Sequence, residues 1–298
     1  MCYKTRPYKD IKQAEEIPHL MKQVLSYTLP IMGTSCVMLF YNSINQLVIS
    51  RYFGVESFAE FSNGFMPLPF IAIIINPIRI MLVPMVSKAH TDGSLEEAKR
   101  FFNTSIKEMA LLIVPMVVFC FAFARSIMVF LYGEQYASSY IFFMIVLTFN
   151  YCEIFPLQGI LSGLGRTKQL FVFDLIYTLL LLGINILLIK LNLSSPVVVA
   201  IVFNVIQILL RYITPYIYLV TKEKFHPIDR NVFKIVVFIT LHTVVVVLIT
   251  FAISKIYNSL PVVFELIISG ILFYLVLIGS GRLFKFDYLK SFKRLIPN

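Results

Sequence analysis

Ionisable side chains stand inside stretches of this sequence that are otherwise apolar. They are Arg79, Glu153, Asp174 and Arg211, and His242 lies in a further stretch. Arginine binds phosphate and carboxylate groups through a rigid fork of donors, whereas a carboxylate in such a setting balances charge. No clustered His, Asp or Arg set of the kind that a membrane enzyme needs accompanies them. The residues therefore predict binding of a polar or anionic ligand, and not an enzyme.

The apolar stretches also contain amide side chains, and these are spaced as on one face of a helix. Asn42, Asn45 and Gln46 fall at i, i+3 and i+4 on one helix face, and a second stripe with offsets of 3 and 7 ends at Arg211. Such stripes should face protein or water and not lipid. The predicted binding residues, in chain order, are Asn45, Asn76, Arg79, Asn150, Glu153, Asp174, Asn204, Gln207 and Arg211.

These residues lie on eight apolar stretches, each of which meets the roughly 20-residue length that a helix needs to cross a bilayer. The composition agrees, with 58% hydrophobic and 14% charged residues. Continuous apolar runs exclude the alternating strands of a membrane β-barrel. The prediction is an all-α polytopic membrane protein whose spans are residues 26–50, 58–86, 109–131, 140–163, 170–191, 197–220, 232–256 and 262–279.

The net charge of +10 is a topology signal. Of the 26 lysine and arginine residues, 20 fall on the N-terminal segment, the C-terminal segment and alternate connections, whereas the opposite side has only Arg51, Arg125, Lys190 and Lys255. By the positive-inside rule both termini are predicted to be cytoplasmic. Because no basic residues cluster on a soluble module, nucleic-acid binding is not expected.

Depth in the membrane separates the charged candidates. Glu153 lies ten residues from the inner end of its span and Arg211 nine residues, roughly 15 Å and 13 Å deep. Charges so deep cost about 2.5–3.5 kcal/mol unless they are paired or hydrated. Two interpretations stay open: these side chains line a substrate cavity, or Arg211 neutralises Glu153 in a purely structural pair.

Local signals add detail to the spans. The second span contains Gly64, Pro67, Pro69, Pro77 and Pro84, which predicts a bent helix.

The connections carry signals of their own. Ser94 and Glu97 have the spacing of a capping box at the start of an amphipathic cytoplasmic helix, and residues 11–23 are typical of an interfacial helix. Gly159 and Gly163 favour close approach of a neighbouring helix. The four cysteines have no metal or redox spacing, so neither a metal nor a cofactor is expected.

Several short motifs lie at span ends: residues 45–50 (NQLVIS), 53–54 (FG), 84–88 (PMVSK), 92–93 (DG), 130–136 (FLYGEQY) and 159–168 (GILSGLGRTK). In their order and placement they resemble the second lobe of oligosaccharide flippases, which belong to the superfamily of multidrug, oligosaccharidyl-lipid and polysaccharide exporters. The resemblance runs from about Ile11 to Ile256.

The resemblance implies an architecture of two six-helix lobes, often with two further helices at the C-terminus. Eight spans then correspond to the C-terminal lobe and the two extra helices, so we expect a separately encoded N-terminal lobe or a longer parent protein. Asn45 stands where many relatives have an acidic residue, which puts ion coupling through that position in doubt. The segments expected are 1–24 (cytoplasmic, with the interfacial helix), 25–220 (six-helix lobe), 221–231 (cytoplasmic connection), 232–280 (two helices) and 281–298 (basic cytoplasmic tail).

The resemblance also implies a function. Similar proteins move undecaprenyl-diphosphate-linked oligosaccharide, of O-antigen or capsule type, from the inner to the outer leaflet of the bacterial plasma membrane by alternating access. The partners expected are the lipid-linked oligosaccharide and membrane lipids. Two alternatives stay open: a multidrug or cation antiporter of the same superfamily, and an inactive fragment.

Overall fold

The computed structural model describes residues 16–256, 260–284, Phe286 and Tyr288. In this part of the chain all regular secondary structure is helical, and there is no strand. Its α-helices are α1 (Glu16–Tyr52), α2 (Gly54–Gly64), α3 (Pro69–Thr91), α4 (Glu96–Ala122), α5 (Ala124–Tyr132), α6 (Tyr140–Cys152), α7 (Leu157–Gly163), α8 (Thr167–Lys190), α9 (Pro196–Ile208), α10 (Thr214–Thr221), α11 (Arg230–Ser254) and α12 (Val262–Leu283).

Seven of these helical segments are long and apolar enough to cross a membrane: α1, α3, α4, α9 continued through α10, and α8, α11 and α12. An eighth crossing arises if α6, with the short 3₁₀ helix before it, and α7 form one span that is bent by 45°. The chain is thus a polytopic all-α membrane protein, and the predicted fold class is confirmed.

The boundaries of the second predicted span, 58–86, are wrong. The chain leaves the helix after Gly64 and resumes it at Pro69, with Leu68 in extended conformation (ψ 117°). A proline disfavours helical geometry in the residue before it, and here Pro67 and Pro69 restrict Met66 and Leu68. The membrane is crossed by α3 alone, while α2 packs beside α1 and α6.

The third predicted span, 109–131, is divided differently as well. α4 starts at Glu96 and runs without interruption to Ala122, so the predicted cytoplasmic helix is the first part of the span itself. Its N-cap residue is Leu95, and no side-chain capping hydrogen bond forms there, so the predicted capping box of Ser94 and Glu97 is absent.

Part of the predicted interfacial helix, residues 11–15, lies outside the described residues. The described remainder belongs to α1. Residues 16–23 therefore continue directly into the first span and form no separate helix.

Helix packing is closest where glycines remove side chains. A Cβ added at Gly163 on α7 would lie 2.6 Å from the Cβ of Val86 on α3, and one at Gly159 would lie 3.0 Å from a methyl group of Leu82. Values below 3.0 Å are not tolerated without a shift, so the predicted close approach at this pair is confirmed. It positions α7 against α3, and these two helices form one wall of the site described below.

One end of the bundle is held by polar contacts to the connection between α10 and α11. Arg166 donates two hydrogen bonds to Glu223, at 2.7 and 3.1 Å, and this contact raises the pKa of the Arg166 guanidinium. Asn103 donates to the carbonyl of Pro227 at 2.7 Å and accepts from the backbone N–H of Asp229 at 2.9 Å. The connection is thereby tied to α4 and to the start of α8.

The last two helices lie on the outside of this bundle. α11 packs along α4 and against α12, and α12 also contacts α5. The chain then returns after α12, so that Tyr288 is buried against α11 and α12. The predicted division into a lobe at 25–220 and two helices at 232–280 stays a prediction.

Candidate functional site

The first cavity of interest forms beside two irregular helical elements, and we call it the arginine cavity. α6 ends at Cys152 and α7 begins at Leu157, with the bend at the intervening residues. The stretch between α9 and α10, Leu209–Ile213, is a π-helix, a feature that is frequent at functional sites. The cavity has a volume of about 170 Å³ and is lined by Arg79, Val83, Phe155, Pro156, Leu157, Gln158, Gly159, Ser162, Arg211 and Tyr212.

Arg79 on α3 forms an ion pair with Glu153 at the bend after α6. The Glu153 side chain is only 9% exposed, whereas that of Arg79 is 36% exposed. The carboxylate therefore lies behind the arginine, away from the cavity. The predicted alternative, in which Arg211 neutralises Glu153, is wrong in its partner: Arg79 is the residue that pairs.

Arg211 is held in another way. Its guanidinium carbon lies 5.7 Å from the ring centroid of Phe149, a distance at which a cation is attracted to an aromatic face. Its Nε atom is buried and has no hydrogen-bond partner among the described residues. A buried donor without a partner is costly, so this position is suited to accept a ligand.

Asp174 on α8 is 1% exposed, and its Oδ1 atom is unpaired within the described part of the chain. Tyr41 lies within electrostatic range of both Asp174 and Arg211, and Tyr212 lies within range of Arg79 and Arg211. The four predicted charges thus form one cluster. Its cations line the arginine cavity, whereas its carboxylates are buried and are not among the lining residues.

A second cavity, which we call the amide cavity, has a volume of about 330 Å³. Asn45 is 1% exposed, and both of its side-chain amide atoms lack a partner in the described structure. Such orphan groups are rare in folded proteins, so they indicate a place for a polar ligand or for water. The cavity is lined by Asn42, Asn45, Gln46, Phe61, Ser62, Phe65, Pro67, Val146, Phe149, Phe203 and Gln207.

Phe149 connects the two cavities. It lines the amide cavity, and its ring also contacts Tyr212, with centroids 5.8 Å apart, and Arg211. Both of those residues line the arginine cavity. A single aromatic side chain thus stands between the amide groups and the arginines.

The remaining predicted residues have different surroundings. Asn204 donates a hydrogen bond to Thr148 Oγ1 at 2.6 Å, which links α9 to α6. Asn150 is buried, with its Nδ2 atom unpaired among the described atoms. Asn76 is not brought to either cavity: it lies on the exposed side of α3 with Ile73 and Ile80.

Sequence reasoning missed several residues of these walls. Gln158 and Ser162 line the arginine cavity because α7 turns toward α3 after the bend. The available signal was Pro156, three residues after Glu153, which marks a break in an apparently continuous apolar run. Asn185 on α8 was also missed. It is 1% exposed, and its Nδ2 donates to the Leu181 carbonyl.

His242 makes contacts that join helices. His242 hydrogen-bonds to Tyr288 and to Ser280, both at 3.0 Å, and so joins α11 to α12 and to the chain after it. Within the described residues, no group of three or more His, Cys, Asp and Glu side chains could hold a metal ion. Cys36, Cys120 and Cys152 are free.

Comparison with known proteins gives one similarity. No curated protein sequence and no solved structure matches the chain. Residues 12–141, which extend from the start of α1 to the start of α6, match the sequence model of a family described as polysaccharide biosynthesis protein. Over that part of its length, the chain is therefore similar to polysaccharide biosynthesis proteins, which suggests a role in polysaccharide biosynthesis or transport.

Proposed function

We propose that this chain takes part in moving undecaprenyl-diphosphate-linked oligosaccharide from the inner to the outer leaflet of the bacterial plasma membrane, during synthesis of O-antigen or capsule. One observation carries the proposal: Arg79 and Arg211 line the same cavity, whereas the buried Glu153 and Asp174 are not among its lining residues. Both charged side chains presented to a ligand are therefore cations, and Arg79 also pairs with Glu153. The similarity of residues 12–141 to polysaccharide biosynthesis proteins gives independent support.

Each part of the substrate has a matching surface. Arginine guanidinium groups bind phosphate oxygens through parallel hydrogen bonds, so the diphosphate is assigned to the arginine cavity. Sugar hydroxyls both donate and accept hydrogen bonds, as amide side chains do. The oligosaccharide is therefore assigned to the amide cavity. There Asn45 has two amide atoms without a partner in the described structure, and Gln207 is a further amide side chain in the lining. Transport of this kind is a movement, and it requires no catalytic group.

We further propose that the chain works with a second lobe, encoded separately or within a longer protein. Polar side chains on membrane-crossing helices are costly in lipid, yet Asn42 and Gln46 on α1 and Asn76 on α3 are exposed. A second lobe packed against these helices would cover such side chains and close the two cavities. The distribution of lysine and arginine favours cytoplasmic termini.

A cation or multidrug antiporter of the same superfamily is the second candidate. It requires acidic side chains that reach the translocated cation. Glu153 is paired with Arg79, and Asp174 is 1% exposed. Neither is among the residues that line the arginine cavity or the amide cavity, so the arrangement of charges favours an anionic substrate.

The proposal is tested by replacing Arg211→Gln in cells whose own copy has been deleted. We expect surface glycan to fall at least tenfold at unchanged protein level, because the diphosphate loses one of its two cationic partners. Arg125→Gln is the matched control, since the Arg125 side chain is 69% exposed and forms an ion pair with the exposed Glu134, at 3.4 Å. Undiminished surface glycan in Arg211→Gln would remove Arg211 from the mechanism.

A further inference from the structure

An apolar groove opens beside the arginine cavity, and we call it the aromatic groove. It has a volume of about 530 Å³ and lies between α7, α10 and α11. Ile213, Tyr216 and Phe233 form its outer part and are 44%, 38% and 53% exposed. The groove is therefore open to the surface of the bundle that faces the membrane. Its size falls in the range of about 300–1,000 Å³ that is typical of sites for small molecules.

The groove and the arginine cavity share part of their walls. Phe155, Leu157 and Tyr212 line both. Phe155 belongs to the bend between α6 and α7, and Tyr212 belongs to the π-helical stretch before α10. The bend that holds Glu153, the partner of Arg79, and the π-helical stretch that holds Arg211 thus also shape the inner end of the groove.

Charge in the groove is confined to one end. Arg230, the first residue of α11, is its one charged lining residue among those described, and it is exposed. It follows the connection that Arg166 and Asn103 hold at one end of the bundle. The rest of the lining is aliphatic or aromatic. A molecule that fits both compartments has an anionic head and a long apolar chain.

We infer that the aromatic groove holds the apolar chain of a lipid diphosphate whose head group is bound in the arginine cavity. The inference rests on the proposed function and adds the path of the lipid chain to it. With the diphosphate beside Arg79 and Arg211, the chain passes the shared wall at Phe155 and Tyr212. It then leaves the protein between α10 and α11 and enters the bilayer.

A single-chain polyprenyl diphosphate is the occupant to which these observations point. A bilayer phospholipid has its phosphate at the membrane surface, where Arg230 alone would contact it. Its head group would not reach the deeper arginine cavity, so the connection between groove and cavity would have no role in its binding. A diphosphate has more negative charge, which suits two arginines. The connection between the compartments, and not the groove alone, therefore selects the ligand.

The quantity to measure is the position of the lipid chain, and not the affinity of the lipid. An apolar chain gains little free energy by leaving the bilayer for an equally apolar groove. The probe is a polyprenyl diphosphate with a diazirine in its chain, added to the purified full chain in nanodiscs of phosphatidylglycerol and phosphatidylcholine. After irradiation, labelled peptides are identified by mass spectrometry. We expect labels to concentrate on α7, on α10 and on the first turns of α11, and to fall several-fold when inorganic pyrophosphate competes for the head-group site.

Two variants on the same helical segment provide the comparison. Ile213→Trp fills the groove and should reduce labelling there at least fivefold. Ile217→Trp is the matched control, because Ile217 is 53% exposed but is not part of the groove lining, and it should leave labelling unchanged. Both positions are exposed, so neither substitution disturbs a packed core.

Arg211→Gln separates failure of the inference from failure of the proposed function. If groove labelling falls in this variant and in Ile213→Trp, both are supported. Labelling spread evenly over all lipid-facing helices, or insensitive to Ile213→Trp, overturns the groove even where pyrophosphate still protects the arginine cavity. Labelling that resists both Arg211→Gln and pyrophosphate overturns the inferred link, because the probe's chain then enters the groove without its head group in the arginine cavity, as the chain of any membrane lipid would. That result also counts against the diphosphate site itself.

Discussion

Arg79 and Glu153 respond unequally to loss of their partner, and this follows from their unequal burial. In Arg79→Gln, the Glu153 carboxylate is left in surroundings where its side chain is 9% exposed. Removing one partner of a buried ion pair costs about 3–5 kcal/mol, because the remaining charge is uncompensated. In Glu153→Gln, the Arg79 side chain keeps its 36% exposure to the cavity. Water and the new amide oxygen then replace the carboxylate at a cost of roughly 1–2 kcal/mol.

The two single variants should therefore differ by about 2–3 kcal/mol, or roughly 4–12 °C in Tm at the 2–4 °C per kcal/mol of a domain of 150–250 residues. The chain contains no tryptophan, so unfolding is best followed as the fraction of monodisperse protein that size-exclusion chromatography detects after heating in detergent. The double variant Arg79→Gln/Glu153→Gln has no unpaired charge and should recover most of the loss. Equal Tm values for the two single variants, or a double variant no more stable than Arg79→Gln, would refute the assigned burial.

Three further predictions concern packing, titration and the amide cavity. Gly163→Ala should destabilise the protein by about 1–3 kcal/mol, as overpacking does, because the new Cβ would lie 2.6 Å from that of Val86. Gly183→Ala is the control and should not destabilise the protein, because a Cβ there would meet nothing within 4 Å. Thermal unfolding of the two variants measures the difference. Burial raises the pKa of Tyr288 to about 12. Since an unfolded tyrosine titrates near 10, its contribution to stability should be intact below pH 10 and lost between about pH 10 and 12, and the difference in Tm between wild type and Tyr288→Phe should shrink over that interval. Asn45→Leu removes two unpaired buried amide atoms, so the variant should have an equal or higher Tm and several-fold less surface glycan. A lower Tm without a loss of surface glycan would contradict the assignment of sugars to the amide cavity.

Hydropathy was sufficient to predict the membrane class and the approximate position of the spans, because lipid requires long apolar helices whatever their neighbours. It was not sufficient to locate the helix ends. The run 58–86 is predominantly apolar, yet the backbone restrictions that Pro67 and Pro69 place on Met66 and Leu68 divide it into α2 and α3. Likewise, Pro156 bends the fourth span beside Glu153. Hydropathy measures how apolar the side chains are and does not register such backbone restrictions.

Side-chain partners were harder to predict than elements. Depth along the chain placed Glu153 and Arg211 at similar levels and suggested that they pair, but depth says nothing about how each helix is rotated. The partner of Glu153 is Arg79, 74 residues earlier. Asn76, only three residues before Arg79, lies on an exposed face. Residues of one polar stripe can therefore face different surroundings when a helix is packed on one side only.

The central claim is that the arginine cavity binds the diphosphate of a lipid-linked oligosaccharide while it crosses the membrane. The most direct measurement is the fraction of this lipid that a membrane-impermeant reagent reaches from outside in spheroplasts. Cells with the wild-type chain should show it mainly in the outer leaflet, whereas deletion cells and cells with Arg211→Gln should retain it in the inner leaflet. An equal outer-leaflet fraction in all three would contradict the claim.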